Sequence, residues 1–64
     1  MNTTATITVI ADHAEHTFSA TITREFLHCG RTFYEYALPT NASTAVRSDH
    51  RRGFTSVPAT RVTF

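Results

Sequence analysis

Sixty-four residues, a net charge of +1 and a single cysteine, Cys29, bound the chain to one small domain, residues 1–64, with no internal disulfide. A core of this size rarely supplies more than about 3–5 kcal/mol, which leaves little room for a deep substrate pocket and points away from an enzyme. Two glycines, Gly30 and Gly53, exclude a glycine-rich phosphate cradle, and no apolar run approaches the roughly 18 residues of a membrane span.

Residues 4 to 11 (TATITVIA) open the chain with a period of two. Ala5, Ile7, Val9 and Ala11 share one face and Thr4, Thr6 and Thr8 the other, as in a half-buried strand. The same stretch lacks the basic flank of a secretory signal. With one cysteine in place of several bridges, the expected compartment is the cytoplasm. Without a secretory route, the sequons at Asn2 and Asn41 read as chance matches.

Asp12-His13-Ala14-Glu15 reads as a short connection, since Asp bonds the backbone just ahead of it. Residues 16 to 28 (HTFSATITREFLH) alternate again. Phe18, Ala20, Ile22 and Phe26 fall on one face, interrupted by Arg24, and the two runs predict a β-hairpin. Cys29-Gly30-Arg31 predicts the next turn, with Gly30 free to take a positive φ. Residues 32 to 38 (TFYEYAL) predict a third strand, with Phe33 and Glu35 on one face and Tyr34 and Tyr36 on the other. Thirteen threonines across the chain suit the pleated surface of a sheet.

Pro39 ends that strand, and residues 40 to 53 turn small, polar and then basic. A short helix at about 41–52, capped by Asn41 or Ser43 and closed by Gly53, competes with an irregular loop, because its apolar face is only Ala42, Ala45 and Val46. Residues 54 to 64 return to strand composition. Pro58 lacks an amide donor, so this strand lies at an edge or is broken there, with Val62 and Phe64 as its buried side. The expected fold is mainly β, with a small α+β variant: a three-stranded antiparallel meander, a short helix or loop, and a C-terminal edge strand.

The chemistry-bearing residues are sparse. His13, His16, Cys29 and His50 have the right donor types for a structural zinc, but without the paired spacing of such sites. No metal and no cofactor are assigned. Ser48-Asp49-His50 and His28-Cys29 hold catalytic residue types, yet neighbours in sequence point apart on either a strand or a helix. No catalytic residue is assigned.

Charge is distributed unevenly. Residues 1–30 carry Arg24 against Asp12, Glu15 and Glu25, whereas residues 31–64 carry five arginines against Glu35 and Asp49. All six basic residues are arginine. A GC-rich genome gives the same bias, and so does selection for a planar donor fork at a recognition surface. Arg47, Arg51 and Arg52 with the aromatic pair Tyr34 and Tyr36 are the residues expected to contact a partner, since tyrosine and arginine dominate interface hot spots. Phe18, Phe26, Phe33 and Phe64 are expected to fill the core.

The expected function is stoichiometric binding of another macromolecule, foremost a protein, as an inhibitor or adaptor. Small phage or mobile-element proteins that inhibit host defence share this size and composition, an analogy and no more. A homodimer through a strand edge would enlarge the thin core. The alternatives are nucleic-acid binding by the same arginines and aromatics, weighed against a near-neutral chain, and a zinc-stapled module.

Overall fold

The computed structural model describes residues 3–64, so part of the Asn2 sequon lies outside the described residues. The protein is mainly β, with one short helix. Strands β1 (Thr3–Ala11), β2 (Ala14–His28) and β3 (Arg31–Tyr36) form the antiparallel meander. Helix α1 (Thr44–Arg51) follows, then β4 (Ser56–Pro58), a single 3-10 turn (Ala59–Arg61) and β5 (Val62–Thr63). The sheet order is β4-β3-β2-β1-β5.

Both hairpins turn in two residues. Asp12 and His13 take φ of 52° and 60°, and Cys29 and Gly30 take 53° and 76°. Positive φ at both central positions is the requirement of a type I′ turn, whose twist matches that of the flanking strands. The four-residue connection expected at Asp12–Glu15 is therefore shorter, and Ala14 and Glu15 already pair with Ala11 and Ile10.

The β2–β3 ladder slips between Ile22 and Arg24, leaving Thr23 as the extra residue of a bulge. A one-residue slip reverses every side chain beyond it. Ala20 and Ile22 point into the core, whereas Arg24, Phe26 and His28 point away from it. The expected placement of Phe26 beside Phe18, Ala20 and Ile22 is thus corrected, and Arg24 does not interrupt a buried face. It lies with Phe26 on the opposite one.

The C-terminal segment closes the sheet. Pro58 pairs with Phe33 on β3, and four residues later Val62 pairs with Ile7 on β1. The outer strands of a flat five-stranded sheet stand about 19 Å apart. Four residues reach at most about 14 Å, and less through a 3-10 turn. The sheet must roll, and β1 and β4 do meet. Inside the roll lie Ala5, Ile7, Ala20, Ile22, Tyr36 and Val57, with Val9, Phe18, Tyr34 and Val62 against them. Pro58 breaks the expected C-terminal strand into two. Phe64 is 65% exposed and so is not part of the buried side expected of it.

Residues 44–51 are helical because both ends are satisfied. The Ser43 hydroxyl accepts from the Val46 amide at 3.3 Å. At the other end Gly53, at φ 102°, donates to the His50 carbonyl and Phe54 to that of Asp49, both at 3.1 Å. This is a Schellman closure around Arg52. Val46 is 1% exposed and anchors the helix, which packs against β1. Two histidines pin it further: His16 bridges Ser43 Oγ (3.4 Å) and the Ala11 carbonyl (3.2 Å), and His50 Nε2 lies 3.3 Å from the Tyr36 carbonyl. Among the described residues no helix is long and apolar enough to cross a membrane.

Candidate functional site

The five residues expected to contact a partner do not form one surface. Tyr36 is 4% exposed, held between the rings of Phe18 (5.7 Å) and His50 (5.5 Å). Its ring belongs to the core and is withdrawn from the contact set. Tyr34 is half-buried, with its ring edge-on to Phe64 at 5.2 Å. Its hydroxyl is held above the ordinary phenol pKa first by the hydrogen bond to the Glu25 carboxylate, then by desolvation and by the charge of Glu25. Arg47 turns back on its own loop, donating to the carbonyls of Ala42 (3.1 Å) and Thr40. Arg51 and Arg52 are exposed.

Ion pairing leaves most of the arginines free. Among the described residues the pairs are Arg24–Glu35 at 3.5 Å and Arg61–Glu15 at 3.9 Å. Arg31, Arg47, Arg51 and Arg52 therefore have no carboxylate within pairing distance among those residues. No group of three or more His, Cys, Asp or Glu is gathered to hold a metal among the described residues, and His16 and His50 are engaged with the helix. Cys29 sits exposed in the β2–β3 turn.

Two features were not expected from the sequence. The first is a ladder of side chains on the sheet face opposite the core. Phe26 and Phe33 stack at 5.8 Å with their planes 17° apart. The Arg24 guanidinium lies 4.7 Å over the Phe26 ring, and His28 meets Phe33 edge-on at 6.0 Å. By register Arg31 belongs to the same face, opposite His28. Phe26 and Phe33 are half-buried here and do not fill the core as expected. Beyond them Leu27, at the hairpin tip, is 74% exposed. The bulge at Thr23 creates this face. The one sequence signal for it was a charged Arg24 in an otherwise apolar series.

The second is an open groove of about 430 Å³ between α1 and the closing segment. Val9, Val46 and Val57 make its apolar floor, Phe54 stands at its rim, and Asp49 and Arg61 supply charge from its two sides. Tyr36 also lines it, with a hydroxyl pKa pushed up first by burial and then by the negative charge of Asp49. A chain of 64 residues thus carries a concavity within the usual size range of ligand sites, which length alone argued against.

Comparison with protein families, with curated proteins and with solved structures gives no match.

Proposed function

We propose that the protein is a stoichiometric, non-enzymatic binder whose partner is another protein, acting as an inhibitor or adaptor, and that the face opposite the core on the β2–β3 hairpin is its contact surface. The observation that carries this reading is the ladder Arg24–Phe26–Phe33–His28 with Arg31 beside it. Aromatic rings and arginine are the side chains that concentrate binding energy at protein interfaces. Here they are pre-packed against one another, so little rotamer entropy is lost when a partner covers them. The sheet edges support a face rather than an edge as the contact, since β4 and β5 span three and two residues. The tyrosine–arginine set expected from sequence contributes Arg51 and Arg52 only as a separate, helical patch.

The test is capture of partners from the source cell with the parent protein and with Arg31→Glu and Phe26→Ala variants. A specific protein should be retained by the parent and by Arg51→Glu. It should bind the two hairpin variants at least roughly tenfold more weakly, the scale of a lost hot spot. Equal retention by every variant would remove the hairpin face as the site.

A second reading, nucleic-acid binding, is favoured by the four arginines that lack a carboxylate partner among the described residues. It predicts that affinity falls steeply with salt, whereas a contact centred on stacked phenylalanines changes little.

A further inference from the structure

We infer that the groove between α1 and the closing segment binds a small hydroxyaryl carboxylate, an aromatic body carrying one hydroxyl and one anionic group. Tyr36 motivates this. Its side chain is more than nine-tenths buried, lines the groove, and makes no hydrogen bond from its hydroxyl among the described residues. No buried side-chain polar atom among those residues is both sealed from solvent and unpaired, so this hydroxyl opens onto the groove rather than into a closed core. Open to the groove, it is served by water, so a ligand that displaces that water must offer a hydrogen-bonding group in its place.

The rest of the lining selects the ligand's chemistry. Val9, Val46, Val57 and Phe54 offer only apolar surface to its body. Among the polar groups of the lining, the phenol of Tyr36 both donates and accepts, while the Asp49 carboxylate only accepts. A ligand hydroxyl satisfies both at once, donating to Asp49 and accepting from Tyr36. Arg61, on the closing segment, is held loosely by Glu15 at 3.9 Å with its side chain half in solvent. It is therefore available to an incoming carboxylate, for which its planar fork is well matched. An amine in place of the carboxylate would face the Arg61 guanidinium rather than pair with it.

The site is independent of the hairpin face, and its test needs no protein partner. Amide chemical shifts of the folded protein are followed by NMR during titration with 4-hydroxyphenylacetate, phenylacetate and tyramine. The expected result is saturable movement of the Val9, Val46 and Val57 amides, with 4-hydroxyphenylacetate bound roughly tenfold more tightly than either analogue, the scale of one buried hydrogen bond or charge contact. Tyr36→Phe keeps the ring in the core and should narrow the preference for 4-hydroxyphenylacetate over phenylacetate, leaving only the bond to Asp49. Arg61→Ala, at an exposed position, should weaken both carboxylates and should not weaken tyramine. If no groove amide saturates, if the three probes bind equally, or if Arg61→Ala has no effect, the inference is overturned. Should Tyr36→Phe fail to fold, the probe ranking and Arg61→Ala decide alone.

Discussion

Among the described residues, three that are not glycine hold positive φ: Asp12, His13 and Cys29. Asp and His tolerate that region better than most side chains, but Cys gains nothing there. The left-handed conformation costs an L residue about 1–2 kcal/mol. Gly30 was legible as a turn residue because its freedom is written in its type. Cys29 was placed in the same turn, but its positive φ was not legible, since only the two-residue spacing between Leu27-His28 and Arg31-Thr32 forces it there. Asn is the side chain that suits the first position of such a turn. Cys29→Asn should therefore raise stability by about 0.5–1 kcal/mol, equivalent to roughly 2–8 °C in Tm for a domain of this size. Thermal unfolding followed by circular dichroism reads this directly. An unchanged or lower Tm would mean that the strain at Cys29 is relieved in a way the backbone angles do not reveal. Tyr34 and Tyr36 make the same point about what residue type conceals. The alternation that put them on one face of β3 was correct, yet that face was the core side, and only the pairing of Tyr36 with Ile22 decides which side is which.

At the scale of the element, legibility depended on whether the signal was local. Ser43 and Gly53 announce the ends of α1 in the sequence, and both act there as caps. The apolar face gave a weak signal because the helix is short and rests on Val46, with His16 and His50 supplying hydrogen bonds in place of a broad apolar stripe. An eight-residue helix would not persist alone in water, so its caps carry an unusual share of its stability. Ser43→Ala removes the bond to Val46 N and one to His16, and should cost about 1–2 kcal/mol. Gly53→Ala should cost about 1 kcal/mol, entirely from φ, because a methyl group there meets nothing within 4 Å. Urea unfolding of both variants checks the pair. Equal stability of Gly53→Ala and the parent would argue against the left-handed closure. The bulge at Thr23 is the opposite case. An extra residue leaves no compositional trace, so a period of two reads straight through it and assigns Phe26 and Arg24 to the wrong faces. The contact surface proposed here was invisible for that reason alone.

At the scale of the whole molecule, stability turns on closure. The meander was readable in chain order because hairpins are local, but the pairing of Val62 with Ile7 joins residues at opposite ends of the chain. Nothing in the composition of residues 54–64 distinguishes a strand at one edge from a segment that ties both edges together. Ile7 is the residue at which these demands meet. It is 0% exposed, pairs with Phe18 on one side and Val62 on the other, and sits in the centre of the core cluster. Truncating such a residue to alanine costs about 2–5 kcal/mol. The whole domain commands only about 3–5 kcal/mol on the size argument. Ile7→Ala should therefore leave a large unfolded fraction without denaturant, seen as collapsed amide dispersion in a one-dimensional proton spectrum. Phe64→Ala, a larger truncation by volume but at an exposed ring, should leave the spectrum dispersed and lose only its contact with Tyr34. If the two variants proved equally folded, the roll of the sheet around Ile7 would not be what holds the domain together, and the groove that depends on that roll would lose its floor as well.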